Sequence, residues 1–192
     1  MAREKGARKV HFAPLKANTY ETPISLKWCT SLETENEYTD VQFNGDCTIE
    51  YEGKNLDKIN ITLGISSALP NETLAKICGY DYADGVMSIS PESISLNGAL
   101  LFEVLMSDGT TKRKCIYNAS LYKNASSYET DSTGEDAIYE FEGAGIPVEI
   151  GGKQYIMIEM SQSDIDAMAD EDKKTTAQAK YDSWFETVVL PA

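Results

Sequence analysis

The sequence of 192 residues predicts a mainly β fold, a β-sandwich or partial barrel, with one short flanking helix and a helical C-terminal segment. Three observations predict this. Apolar and polar residues alternate with a period of two in several short stretches, an Asp-Gly pair separates two apolar stretches, and helical spacing is scarce. The length suits one domain with a core of its own.

Alternation identifies the first strands. In residues 24–29, 46–52 and 58–63 every second side chain is apolar or aromatic, so each stretch has one face suited to a core. The connection 53–57 is rich in turn-forming residues, which predicts that the second and third strands pair as a hairpin.

The strongest hairpin pattern comes later in the chain. Residues 99–106 are apolar on both faces and therefore predict a central strand. Asp108-Gly109 supplies the positive φ angles of a tight turn, and residues 115–121 form the return strand. Two further strands are predicted at residues 137–142 and 155–160, the latter after Gly151-Gly152.

Helical patterns are few. Residues 71–78 predict a short helix with Asn71 as its N-cap and Gly79 as its C-terminal stop. Near the C-terminus, Ser163-Asp164 can cap a second helix, and residues 177–185 have helical spacing again. The charged residues 170–174 between them predict a solvated link.

These patterns predict three regions: a basic N-terminal arm at 1–22, a β-sandwich domain at 23–160 and a helical segment at 161–192. Residues 30–46 and 123–136 are polar and are predicted as long loops. Long loops inside compact domains are unusual and often have a binding role.

Charge is distributed unevenly. The formal net charge is −14, whereas residues 1–16 hold five bases and one acid, a net charge of +4. An acidic protein repels phosphate backbones, so nonspecific DNA wrapping is not expected. A basic arm on an acidic body favours self-association. The alternative is a solvated terminus without a role.

The sequence contains no pattern for catalysis, metal binding or cofactor binding. His11 is the only histidine, the four cysteines match no zinc-ligand spacing, and no phosphate-binding glycine loop occurs. No secretory signal and no membrane span are expected. Four glycosylation triplets, at Asn60, Asn71, Asn118 and Asn124, are therefore interpreted as chance.

The order of segments resembles a known protein family. The residues that carry the likeness are Val10–Leu15 with Tyr20–Pro23, then Glu37–Asp40 with Asn44–Asp46, the helix Leu74–Tyr80, the hairpin around Asp108-Gly109, and residues 136–142. Together these segments, which span roughly residues 8–145, resemble the major tail (tail tube) proteins of siphoviruses, the phages with long non-contractile tails. Residues 181–185 are similar to a C-terminal feature of that family.

The resemblance implies a virion structural protein that self-assembles into hexameric rings, which stack into a tube through which DNA passes without specific binding. It implies further copies of the chain, tape measure, tail tip and tail terminator proteins as partners, and no catalytic site. Two alternatives stay open: an inner-tube protein of a contractile phage-like injection system, and a secreted β-sandwich binding module. On this resemblance the basic arm and the assembly loop 30–46 reach into neighbouring subunits or rings. The residues predicted to make assembly contacts are Arg3, Lys5, Arg8, Lys9, His11, Phe12, Glu37, Tyr38, Asp40 and Phe43.

Overall fold

The computed structural model describes residues 2–45, 48–66, 69–126 and 139–191, and more than half of these residues lie in strands. The mainly β prediction is therefore confirmed. Within the described ranges the elements are β1 (Glu4–Lys16), β2 (Thr19–Tyr20), β3 (Ile24–Ser25), β4 (Cys29–Gly45), β5 (Thr48–Ile65), α1 (Asn71–Cys78), β6 (Asp81–Ala83), β7 (Val86–Ser88), β8 (Asn97–Met106), β9 (Thr111–Ser126), β10 (Tyr139–Gly145), β11 (Val148–Ile150), β12 (Lys153–Tyr155), β13 (Met157–Ser161), α2 (Gln162–Asp166) and α3 (Glu171–Asp182).

Nine strands form one antiparallel sheet in the order β2-β1-β8-β9-β10-β5-β4, with β3 beside β1 and β13 beside β9. The centre of the sheet is β9, which pairs with β8 on one side and with β13 and then β10 on the other. Strand β9 contains a bulge at the point where its partner changes from β13 to β10. There Tyr117 and Asn118 of β9 both lie opposite Ala99 of β8. Asn118 takes a φ of 45° there, a conformation that asparagine tolerates.

The main core lies on one face of this sheet. Alternate residues of β5 and β8 point into it, as the period of two requires, and α1 covers it with one apolar side. Its largest fully buried members are Phe12, Phe141, Ile59, Ile61, Leu63, Ile65, Ile77, Leu100 and Ile116.

A second apolar cluster lies on the opposite face, where the C-terminal segment covers the sheet. Ala99 and Leu101 of β8 and Tyr117 of β9 contribute to it, and Trp184 lies at its centre with 0% of its surface exposed. Both faces of β8 are therefore buried, which explains why its sequence is apolar on both faces and confirms it as a central strand.

The Asp-Gly hairpin and the first helix are where the sequence predicts them. Gly109 has a φ of 87°, and the Asp108 carboxylate accepts from the Thr110 backbone N–H at 3.0 Å. Helix α1 ends at Gly79, which has a φ of 69° and donates its N–H to Ala75 O at 2.9 Å. Its N-cap is Pro70 rather than the expected Asn71.

Residues 30–46 are not a loop. Residues 30–45 belong to the strand β4, and residue 46 lies outside the described residues. The turn expected at 53–57 is also wrong, because β5 continues through those positions and pairs with β4, for example Val41 with Gly53. The hairpin therefore joins β4 to β5. The strand pattern expected at 46–52 and the one at 58–63 belong to a single strand from Thr48 to Ile65.

The N-terminal segment is part of the sheet. Most of it is β1, which pairs with β8 and buries Val10, Phe12 and Ala13, so it is not a free arm over Glu4–Lys16. The strand expected at 24–29 is limited to Ile24–Ser25, and Trp28 lies outside the core with a φ of 65°. The proposed division at residues 22 and 160 stays a prediction.

The C-terminal region differs in its details. Residues 170–174 are not a link, because Asp170 is the N-cap of α3 and its carboxylate accepts from the N–H groups of Asp172 and Lys173, each at 3.1 Å. The strand expected at 155–160 is divided into β12 and β13. Residues 123–126 of the predicted second loop belong to β9. Its remainder, together with residues 137–138 of a predicted strand, lies outside the described residues.

Candidate assembly surface

The β4–β5 hairpin extends beyond the rest of the sheet. Strand β10 pairs only with residues 59–65 of β5, whereas β4 pairs with β5 along its whole length. In the described part of the chain, residues 37–45 and 48–58 therefore pair only with each other. We call these two stretches the projecting ribbon. Residues 33–40 of β4 are all exposed.

Cross-strand polar contacts hold the ribbon in register. Lys58 Nζ lies 3.1 Å from a Glu37 carboxylate oxygen, and Lys54 Nζ lies 3.5 Å from Asp40. The Thr39 hydroxyl also donates to the Asp57 carboxylate. The pKa of Glu37 is below its ordinary value, because the Asn60 amide and then Lys58 donate to it. These are exposed pairs, so they set register and contribute little stability.

The hairpin carries a large excess of acid. Residues 29–65 contain eight carboxylates and two lysines, a net charge of −6. Glu33 and Glu35 are exposed, and no cation of the described residues lies within 4.0 Å of either carboxylate. A surface of this kind is suited to a basic partner.

Several basic residues lie on β1, which is near the opposite end of the strand order from β4. Its irregularity lies between Arg8 and His11, where Lys9 has a φ of 51°. In a regular strand Arg8 and Lys9 would point to opposite faces, but the bulge brings both side chains to the same carboxylate, Glu103 of β8. Arg8 Nε lies 2.7 Å and Lys9 Nζ 3.2 Å from its oxygen Oε1.

Glu103 is the buried charge of this region, with 1% of its surface exposed. A third cation reaches it from β9, since Arg113 Nε lies 3.2 Å from its Oε2. Burial alone would raise the pKa of Glu103. The three cations outweigh burial through hydrogen bonds and charge, and hold that pKa below its ordinary value.

The same cations attach the C-terminal segment to the sheet. The Arg113 guanidinium lies 3.9 Å from the centre of the Tyr181 ring and donates to the Tyr181 carbonyl. The His11 ring lies 4.7 Å from the Phe185 ring, and His11 Nδ1 lies 2.9 Å from Lys9 O. Burial lowers the pKa of His11, and the Lys9 carbonyl opposes this effect. His11 therefore has a packing role in this chain.

The structure divides the residues predicted for assembly into separate groups. Arg8, Lys9 and His11 lie together around Glu103 and Phe185, whereas Phe12 is fully buried in the main core and has no surface for a neighbour. Arg3 and Lys5 are exposed at the start of the chain. Glu37, Tyr38 and Asp40 are exposed on the ribbon, and Phe43 is in its β4 strand, paired with Tyr51. Their roles in assembly stay predictions.

Sequence reasoning missed Glu103 and Arg113, and it noted Trp184 only for its helical spacing and for the family likeness of residues 181–185. One signal was present, because Glu103 is the only charged residue in the stretch 99–106, which is otherwise apolar on both faces. A carboxylate at such a position is buried and needs cationic partners. Nothing in the spacing of the sequence identifies Arg113 as a neighbour of that site.

The described residues contain no group of three or more His, Cys, Asp or Glu side chains able to hold a metal ion. Cys29, Cys78 and Cys115 are free thiols, and Cys47 lies outside the described residues. A cavity of about 760 Å³ has mainly apolar walls beside β2 and the C-terminal residues. Across the described ranges, no helix has both the length and the apolar character needed to cross a bilayer.

Comparison with known proteins gives only distant matches. No family model matches this chain, and no curated protein does. The tube-terminating cap of the anti-feeding prophage, a solved structure, is 9% identical over 80% of this chain and 88% of that chain, with a TM-score of 0.46. A sheath-tube complex of the PVC extracellular contractile injection system is 12% identical over the same shares, with a TM-score of 0.46. The anti-feeding prophage baseplate is 10% identical over 82% and 93%, with a TM-score of 0.40. At this distance the matches do not tell what this chain binds or assembles with.

Proposed function

We propose that this chain is a structural subunit of a phage tail tube or of a phage-like injection tube, and that it acts by assembly rather than by catalysis. Copies of the chain join into rings, and the rings stack. The family resemblance of the sequence implies six copies per ring.

The observation that carries this proposal is the projecting ribbon. Residues 48–58 of β5 have no described strand beside them except β4. Leu56 still packs against the main core, so residues 48–55 leave the body, roughly 26 Å of two-stranded sheet at about 3.3 Å per residue. A two-stranded hairpin alone is marginally stable in water. The outer edge of β4 also presents backbone N–H and C=O groups without a strand partner among the described residues. A neighbouring subunit that covers the ribbon stabilises the hairpin by packing against it and pairs with the backbone groups at the outer edge of β4.

The net negative charge of the chain suits a tube through which DNA passes. Each chain carries −14, so six copies carry about −84 before pairing, and an acidic bore does not hold a phosphate backbone. On this proposal the partners are further copies, the tape measure, tail tip and tail terminator proteins, in a particle assembled in the host cytoplasm.

An inner-tube protein of a contractile injection system is the second function that we retain, because a tube inside a sheath needs the same self-assembly. The two functions differ in one partner. Rings that bind a contractile sheath protein indicate the contractile system, whereas a tube without a sheath indicates the non-contractile tail. Purification of native particles followed by mass spectrometry of their components distinguishes them.

The assembly test compares the natural chain with a variant that lacks the end of the ribbon. Thr39 and Asn55 are paired across the ribbon, so replacing residues 40–54 with Asn-Gly closes a shorter hairpin in the same register. We expect the natural chain to form rings or tubes as it is concentrated, by light scattering and negative-stain electron microscopy. The shortened variant should remain a folded monomer.

The control is the unfolding curve of the body, which should change little because the core residues of β5 lie between 59 and 65. A natural chain that remains monomeric up to its solubility limit contradicts the proposed function. Rings formed equally well by the shortened variant would instead remove the ribbon from the assembly contact.

A further inference from the structure

A shallow groove of about 390 Å³ lies between the first part of β1 and the segment that leads into β4. One wall is residues 7–9, and the other is residues 25–29. The neighbouring backbone of β1 is open here, since β3 pairs with β1 only at His11 and Phe12. The groove therefore adjoins a stretch of β1 whose edge has no strand partner among the described residues, and β4 lies close to the start of that strand without pairing with it.

Trp28 is held outward at this groove. It is 71% exposed, and its φ of 65° is one that bulky residues rarely adopt. Its backbone is fixed, because Ser66 N–H donates to Trp28 O at 3.0 Å and the preceding Leu26 is buried, with its N–H bonded to Val10 O at 2.8 Å. A large aromatic side chain kept in solvent by a strained backbone points to a binding role.

The groove is basic and the hairpin is acidic. Its walls include Arg8, Lys9 and Lys27 and contain no carboxylate, and the first two are about half exposed although they also bind Glu103. The hairpin has a net charge of −6, of which residues 40–54 at its end carry −3. Charge complementarity of this kind selects one surface for another.

The hairpin of the same molecule cannot fill this groove. Strand β4 begins at Cys29, beside the groove, and continues as a paired strand to Gly45, away from its starting point. A hydrogen-bonded ribbon of this length does not fold back on itself, so an acidic ribbon in the groove must come from another molecule.

We propose, resting on the tube-subunit function, that this groove receives the acidic β4–β5 hairpin of a second copy of the chain. Trp28 is the apolar anchor of the contact, and the half-exposed side chains of Arg8 and Lys9 face the carboxylates of the incoming hairpin. Groove and hairpin are different surfaces, so the contact is head-to-tail and repeats from copy to copy until a ring closes or a stack grows.

The first test is Trp28→Gly, because glycine takes the positive φ without strain and the fold is kept. The protein concentration needed for ring or tube formation should rise at least about tenfold, as expected for the loss of a central aromatic anchor. Ile94→Ala is the matched control, since Ile94 is 79% exposed but lies away from the groove. It should leave that concentration unchanged.

The second test mixes two variants that are each defective on one surface. Trp28→Gly keeps the hairpin, and the shortened variant with Asn-Gly for residues 40–54 keeps the groove. Below the concentration at which Trp28→Gly itself assembles, each should be monomeric alone, and an equimolar mixture should give a 1:1 heterodimer by native mass spectrometry. A heterodimer supports the proposal, because only a head-to-tail contact leaves one intact interface in the mixture.

The outcomes separate this inference from the function on which it rests. If the natural chain assembles and Trp28→Gly assembles at the same concentration, the groove is not the docking site, although the tube function stands. If both variants are monomeric but their mixture gives no heterodimer, the hairpin does not enter this groove. If the natural chain never assembles, the tube function itself is wrong.

Discussion

Replacing the buried carboxylate by Glu103→Gln should destabilise the chain by about 3 kcal/mol. Removing one partner of a buried ion pair costs about 3–5 kcal/mol, because it leaves the other charge without compensation. Here Arg113 has only 13% of its side chain exposed and remains in place, whereas Arg8 and Lys9 are about half exposed and regain water. The ion pairs of Glu103 with Arg8 and Lys9 therefore contribute about 0.5 kcal/mol each to the loss of unfolding free energy. The pair with Arg113 contributes most of the remainder.

Urea unfolding followed by tryptophan fluorescence at low protein concentration measures this loss, since Trp184 is buried in the native chain. The control is Glu159→Gln. Glu159 is half exposed and lies 3.7 Å from Lys114, so its change should cost less than about 1 kcal/mol. Equal unfolding free energies for the two variants would refute the reasoning.

The stability of the natural chain should also depend on pH through Glu103. Its native pKa lies below the unfolded value of about 4.3, so the carboxylate stabilises the native state fully above that pH. The stabilisation is lost as the pH falls from there through the lower native pKa. Glu103→Gln should lack this part of the acid sensitivity. A variant whose unfolding free energy falls with acid as steeply as that of the natural chain contradicts the assignment.

Three further predictions test the packing of the chain. Trp184→Ala should cost about 3–5 kcal/mol and make the C-terminal segment sensitive to proteolysis, because the side chain fills the second cluster; an unchanged digestion pattern would contradict this. Gly85→Ala should cost roughly 1–2 kcal/mol, since its φ is 81° but its surroundings are open. Gly79→Ala should cost clearly more in the same urea assay, because the new Cβ would lie 1.8 Å from a backbone oxygen; equal costs would rule out the close approach. Cys115, whose pKa burial raises, should resist alkylation in the native chain while half-buried Cys29 reacts, as mass spectrometry of the peptides will show.

The elements that sequence reasoning predicted well are those with a strong local cause. The β8–β9 hairpin follows from two apolar strands around Asp108-Gly109, and α1 ends at Gly79 because glycine tolerates the left-handed conformation. In both cases the residues that decide the geometry are neighbours in sequence, so no tertiary information is needed.

The β4–β5 hairpin was missed for a physical reason. Half of it projects from the body, so neither face of β4 there is buried, and the alternation that identifies strands is absent over residues 33–40. Residues 53–57 have a turn-forming composition, but the ladder to β4 holds them in an extended conformation. Strand pairing overrides such local preferences, because β propensity depends strongly on context.

The candidate assembly surface was likewise predicted only in part from the sequence. The sequence predicted a basic N-terminus on an acidic body, and the family resemblance directed attention to Glu37 and Tyr38. The sequence did not show that a bulge at Lys9 turns two cations toward Glu103, or that Trp28 leaves the core. Both depend on positive φ angles at non-glycine residues, which only contacts with distant parts of the chain stabilise.

The sequence by itself determined the mainly β class, the central hairpin, the first helix and the separation of charge, because each follows from residues close together in the chain. Only the tertiary structure decided the partner of β5, the burial of Glu103 among three cations and the exposure of Trp28. These features depend on contacts between residues far apart in sequence, whose free energy is absent from any local pattern.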